Sequence, residues 1–65
     1  MKVITGDFET EEQMTNARDD LISTGIDAEK VTVDREQMQL KVVIPADIER
    51  EINEILQRHD PLKLH

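Results

Sequence analysis

The chain has 65 residues, no cysteine, a single aromatic side chain (Phe8) and a formal net charge of −7 at neutral pH. This length predicts one domain, and the lack of cysteine excludes a disulfide framework or a thiolate zinc site. The negative charge and the single ring argue against nucleic acid and anionic membrane surfaces as partners. No apolar run approaches the roughly 20 residues of a membrane span, and there is no signal-peptide pattern, so we expect a soluble cytoplasmic protein.

The segment KVITGDF, residues 2–8, is rich in β-branched residues and alternates roughly in polarity. This pattern predicts a first strand. Its two sides would consist of Ile4, Gly6 and Phe8 on one and of Val3, Thr5 and Asp7 on the other.

A helix is predicted directly after this strand. Thr10 can cap the first turn, and Gln13 three residues later completes a capping box. Gly25 stands where a left-handed residue commonly ends a helix. The apolar stripe of this helix would consist of Met14, Ala17, Leu21 and Ile22.

The segments KVTVD and MQLKVVI predict two further strands, joined by a tight turn at residues 34–37. The second of them alternates regularly, which is typical of a sheet with one buried and one wet face. Its buried side would consist of Met38, Leu40, Val42 and Ile44, and its wet side of Gln39, Lys41 and Val43.

A second helix should begin at Pro45, whose missing N–H is not needed in a first turn. Pro61 disfavours helical geometry at Asp60 and so predicts the end of this helix. The last four residues, LKLH, alternate in polarity, and both a short fourth strand and a frayed tail are open. The apolar stripe would consist of Ile48, Ile52, Ile55 and Leu56.

The element order is strand, helix, strand, strand, helix and, at residues 62–65, a short strand or a tail. Two helices with one apolar stripe each should cover one face of the sheet, which predicts a two-layer α+β sandwich over residues 1–61. A right-handed crossover through the first helix makes strands one and two parallel, and strand three can lie antiparallel between them. This is the ferredoxin-like arrangement βαββα, with an antiparallel or mixed sheet and a possible fourth strand.

Two segments, GDFETEEQMTNARDDLISTGIDAEKVTV and VVIPADIEREINEILQRHDP, resemble small bacterial general-stress-protein domains of the 17M/YflT type. In such domains a strand leads to a helix with an acidic start, then to a return of the form GI-x-x-x-x-V-x-V, and later to a helix ending in IL-x-x-H. The resemblance covers the chain from residue 1 to about residue 61. It implies a ferredoxin-like fold and a stress-related role, and it brings no catalytic motif.

The first helix has a polar stripe on the side predicted to lie away from its apolar residues. This stripe could hold a cation weakly, but a helix cannot wrap six or more oxygens around calcium as a loop can. We therefore interpret it as a solvated face that binds no metal, with a protein partner as the alternative. The stripe consists of Glu12, Asn16, Asp19 and Asp20.

His59 is the one candidate for a pH-sensitive or functional histidine, because it follows the apolar stripe of the second helix. A histidine base needs a nucleophile or an orienting partner, and the sequence identifies neither. We interpret it as a boundary residue near the last helical carbonyls. His65 follows it by six residues across a proline, which is weak metal-ligand spacing.

The wet face of the sheet is the strongest candidate for an interaction surface, because it is only mildly polar. If the fourth strand is short or absent, the first strand also offers an edge at which another chain could pair. The candidate surface consists of Val3, Thr5, Thr32, Gln39, Lys41 and Val43.

Phosphate loops, nucleophile elbows and zinc signatures are missing from the sequence, and the small core can scarcely enclose a pocket. We therefore expect a non-enzymatic module without a cofactor. It would act by binding a second copy of itself or another protein. The alternative is a small-molecule-sensing regulatory domain, in which paired domains bind a metabolite near Gly6 and Gly25.

Overall fold

The structure is a computed structural model that describes all residues, 1–65. Short 3₁₀ turns at Ala28–Lys30 and Ala46–Ile48 lead into the second strand and the second helix. The main elements are β1 (Lys2–Asp7), α1 (Glu11–Thr24), β2 (Val31–Asp34), β3 (Gln39–Ile44), α2 (Glu49–Gln57) and β4 (Lys63–Leu64).

The four strands form one sheet in the order β2-β3-β1-β4. Every neighbouring pair is antiparallel, and β3 lies between β1 and β2. The predicted ferredoxin-like sandwich is therefore confirmed. The sheet is fully antiparallel between neighbours, and residues 63–64 form the short fourth strand.

The core lies between one face of the sheet and the two helices. The register places alternate residues of β1 and β3 on this face, and Phe8 just after β1 joins them with 2% of its surface exposed. Both predicted helical stripes contribute to it, and no polar or charged residue is buried. The buried cluster consists of Ile4, Phe8, Met14, Ala17, Leu21, Val31, Leu40, Val42, Ile44, Ile52, Ile55 and Leu56.

Helix α1 begins and ends as its sequence predicts. The Thr10 hydroxyl accepts a hydrogen bond from the Gln13 amide at 3.2 Å, and the Gln13 side chain accepts one from the Thr10 amide at 3.3 Å. Gly25 adopts φ 119°, and its amide donates to the Ile22 carbonyl. The last turn is thus closed by a residue for which this backbone conformation costs little.

The turn between β2 and β3 extends one residue further than predicted. Asp34 accepts hydrogen bonds from the amides of Glu36 and Gln37 at 3.0 and 3.2 Å, which folds the chain back at once. Met38 was expected in the strand, but it has φ 56° and belongs to the turn. Its carbonyl accepts from the Phe8 amide at 2.9 Å, and its side chain still packs against the core.

Helix α2 is shorter than predicted at both ends. The chain after Pro45 first forms the 3₁₀ turn, so the α-helix starts at Glu49. The α-helix ends at Gln57, and Asp60 then adopts φ 52° before Pro61. This left-handed residue redirects the chain towards β4.

Strand β4 is held against β1 by backbone hydrogen bonds and by Leu64. The Thr5 amide donates to the His65 carbonyl at 2.6 Å, and the His65 amide donates to the Thr5 carbonyl at 2.7 Å. Leu64 lies opposite Gly6 and packs against the core. A Cβ at Gly6 would lie 3.0 Å from Phe8 Cε2 and 3.2 Å from Leu64 Cδ2, so the missing side chain makes room for both.

We expect Gly6→Ala to loosen β4. The new Cβ would lie 3.0 Å from Phe8 Cε2 and 3.2 Å from Leu64 Cδ2, so both side chains must shift, and the less buried Leu64 can shift further. Overpacking costs about 1–3 kcal/mol, partly offset by about 0.5–1 kcal/mol from replacing a strand glycine with alanine. Hydrogen exchange at the Thr5 and His65 amides should accelerate, and urea unfolding should show a net loss of about 1 kcal/mol. Leu64→Ala should cost less in the Gly6→Ala background than alone; equal costs in both would contradict the crowding.

Candidate interaction surfaces

All six residues of the predicted interaction surface lie on the face of the sheet that no helix covers. The register aligns them in rows across the strands, because Thr5 pairs with Lys41 and Lys41 with Thr32. Lys63 of β4 lies beside Asp7 on the same face. This open face, as we call it, consists of Val3, Thr5, Asp7, Thr32, Asp34, Gln39, Lys41, Val43, Lys63 and the side chain of His65.

An apolar pair occupies one end of the open face. Val3 and Val43 are directly opposite each other on β1 and β3. The Val3 side chain lies beside the half-buried Val43, and Val3 remains 54% exposed because β4 pairs with β1 only from Thr5 onwards. Removing this pair from water is the main hydrophobic gain that the face offers to a partner.

The charges of the open face balance. Asp7 and Asp34 contribute two negative charges to this face, and Lys41 and Lys63 contribute two positive charges. Neither lysine forms an ion pair within the chain, and Asp34 forms none either. Asp7 Oδ2 lies 3.3 Å from His65 Nε2, while Asp7 Oδ1 is buried without a hydrogen-bond partner. Three charged groups on this face are thus free to form ion pairs with another molecule.

The helical layer, by contrast, is strongly acidic. Each helix, with the 3₁₀ turn before α2, carries four carboxylates and one arginine, so the two account for six of the seven net negative charges. The groups are Glu11, Glu12, Arg18, Asp19 and Asp20 on α1, and Asp47, Glu49, Arg50, Glu51 and Glu54 on the second element.

Three of the four residues in the predicted polar stripe of α1 are exposed to solvent, and the fourth is half-buried. Glu12, Asn16 and Asp19 are exposed, as expected of a solvated face. Asp20 differs, because it is half-buried and points towards the end of α2. Its placement with the other three was wrong, since the helix turns it onto the flank that faces the second helix. No three histidine, aspartate or glutamate side chains come together as a metal site.

His59 is the partner of Asp20. His59 Nε2 lies 3.0 Å from Asp20 Oδ2, with 21% of the histidine side chain and 32% of the aspartate side chain exposed. The contact joins the C-terminal turns after α2 to α1, so His59 binds a carboxylate rather than capping helical carbonyls. The sequence holds no local signal for this pair, because the two residues are 39 positions apart.

The surface has three concavities, and none of them is lined by His59, Gly6 or Gly25. The largest, of about 830 Å³, is a broad depression on the exposed side of α2 with one hydrophobic residue among eight. A smaller groove of about 280 Å³ runs between β1 and α2, past Asn53 and Leu64. Neither helix has the length and apolar composition that crossing a membrane requires.

The predicted pairing edge on β1 is mostly closed. β4 pairs with Gly6 and Asp7, and His65 extends the pairing to Thr5. Only the backbone before Thr5 lacks a neighbour on this side. The few hydrogen-bonding groups that remain there, around Val3, cannot hold a second chain by strand addition alone.

No family model matches the chain, and neither a curated protein nor a solved structure matches it. The resemblance to general-stress-protein domains therefore stays a prediction.

We expect the contact between Asp20 and His59 to stabilise the packing of the helices. In a double-mutant cycle of Asp20→Ala and His59→Ala, the coupling energy should be about 0.5–1 kcal/mol, because both side chains are partly shielded from solvent. Urea unfolding at one fixed neutral pH measures it. The control is Asp19→Ala on the same helix, which should change stability by less than about 0.5 kcal/mol. A coupling energy of zero would show that the contact contributes nothing.

Proposed function

We propose that the protein is a non-enzymatic interaction module that associates with a second copy of itself through the open face. The observation that carries this proposal is an uncovered sheet face with no net charge and a Val3–Val43 pair, in which Val3 is exposed and Val43 is half-buried. Association there would remove the pair from water without bringing an excess of either charge together.

The distribution of charge supports this face over the helical layer. Two copies that met through their helices would bring together surfaces with a net charge of about −3 on each helix. Like charges within a Debye length of about 8–10 Å repel at physiological salt. The open face avoids this cost and keeps the acidic helices on the outside of the pair, where they maintain solubility.

The size of the open face sets the expected affinity. Four strands of up to six residues cover about 20 Å by 19 Å, or roughly 400 Å² in projection. A standard interface buries about 800 Å² on each partner, which would be about a fifth of this molecule's 4272 Å². We therefore expect a weak, concentration-dependent dimer.

The resemblance to general-stress-protein domains supports a stress-related role in the bacterial cytoplasm as part of this proposal. A small-molecule-sensing domain is the second candidate, and we favour it less. The positions that it would use, Gly6 within β1 and Gly25 after α1, line no concavity of the single chain, and the space beside Gly6 is filled by Phe8 and Leu64.

The test of the proposed function is the molar mass, measured by light scattering from about 10 µM to about 1 mM. The mass should rise towards that of a dimer with concentration. Val3→Lys and Val43→Lys should each abolish the rise, because each places an unpaired charge in the contact. Ser23→Lys is the matched control, since it makes the same change of charge at an exposed position of α1.

A monomer at every concentration would contradict self-association and would direct the search to another protein partner. Equal effects of all three substitutions would show that net charge, rather than the open face, governs association.

A further inference from the structure

The side chains of the open face form three rows across the sheet, in the strand order β2, β3, β1, β4. The first row is Val43 and Val3 on the two central strands. The second row is Thr32, Lys41, Thr5 and His65, and the third row is Asp34, Gln39, Asp7 and Lys63.

A symmetric dimer that stacks two such faces has a two-fold axis in the plane between them. With an axis perpendicular to the strands, each strand lies over the same strand of the second copy. The first row of one copy then lies over the third row of the other. Val3 would then face Asp7 of the second copy, and Lys41 would face the second Lys41. That arrangement buries an apolar pair against a carboxylate and brings like charges together, so it is unfavourable.

An axis parallel to the strands, between β3 and β1, keeps the rows and exchanges the strands. Val43 then faces Val3 of the second copy, which places four valine side chains together. Asp34 faces Lys63 of the second copy, and the symmetry makes this contact twice. The Lys41 side chains no longer face each other, because each lies over a threonine.

We infer that two copies of this chain stack their open faces about a two-fold axis parallel to the strands, with the ion pair Asp34–Lys63 formed between copies. This inference rests on the proposed function, since it describes how the same face associates. The strand axes of the two sheets then stay aligned, within the roughly 30° offset that sheet twist imposes, and each strand of one copy lies over an antiparallel strand of the other.

Asp34 and Lys63 can make this pair only between molecules. Within one chain they lie on the two outer strands, three strand spacings or about 14 Å apart. Neither has an ion-pair partner in its own chain. Complementary groups that are unpaired in one chain and matched across the axis specify the orientation of the dimer.

The first test is charge exchange at this pair, read by light scattering. Lys63→Glu and Asp34→Lys alone should each raise the dimer dissociation constant on the order of tenfold, because each replaces two attractive contacts with two repulsive ones. An equimolar mixture of the two variants should dimerise again. In the mixed dimer one contact joins the original Asp34 and Lys63, and the other joins the two introduced side chains, which are opposite in charge. A mixture that dimerises no better than its components would overturn the inference.

The second test does not depend on Asp34, whose side chain also accepts hydrogen bonds in the turn. The chain has no cysteine, so Thr32→Cys and His65→Cys introduce single thiols. Stacked sheets lie about 10 Å apart, beyond the reach of a disulfide, so a short bismaleimide crosslinker is the probe. A mixture of the two variants should crosslink, and neither variant alone should do so.

The crosslinking results test the direction of the two-fold axis separately from self-association through the open face. Crosslinking of Thr32→Cys with itself would place the axis perpendicular to the strands and overturn the inference, while self-association through the open face would stand. Failure of the mixture to crosslink, with a dimer that Val3→Lys still disrupts, would also overturn the geometry alone. A wild-type chain that is monomeric throughout would overturn both.

Discussion

The packing of two helices against a single apolar face of the sheet is the contact on which the rest of this molecule depends. All twelve buried hydrophobic residues belong to this one cluster. A chain of this length buries only about 60% of the surface of its unfolded form, so its stability depends on this single core. Every cap, turn and strand pair described above serves to hold apolar side chains such as Phe8 and Leu56 in this layer.

This constraint also determines what the outside of the molecule looks like. Both helices are used to cover one side of the sheet, so the other side remains bare. Carboxylates that cannot enter the core collect on the outer surfaces of the helices, and the sheet keeps a balanced set of charges around Val3 and Val43. The two sides of the molecule are therefore chemically different surfaces, one of them acidic and the other with balanced charges.

Most of the fold, and six of the ten residues of the open face, could be predicted from the sequence because both are encoded locally; Asp34, Lys63 and His65 join the face only through the strand pairing. The capping box at Thr10 identifies the start of α1, and alternation along β3 assigns Lys41 and Val43 to the wet side of the sheet. The features that escaped prediction depend on contacts between distant segments. The position of Asp20 follows from the way two helices pack. The rows of the open face depend on strand register, and the register depends on the exact length of each turn. The turn between β2 and β3 was predicted to end at residue 37, but it includes Met38.

Met38 faces two demands that no single amino acid meets. Its backbone, at φ 56°, favours glycine or asparagine, whereas its half-buried position against the core favours a large apolar side chain. Any replacement that relieves one demand aggravates the other, so selection at this position can reach only a compromise. Single substitutions at position 38 therefore offer little gain in stability, and improvement at this turn requires a coordinated change of the backbone and of the residues that Met38 covers.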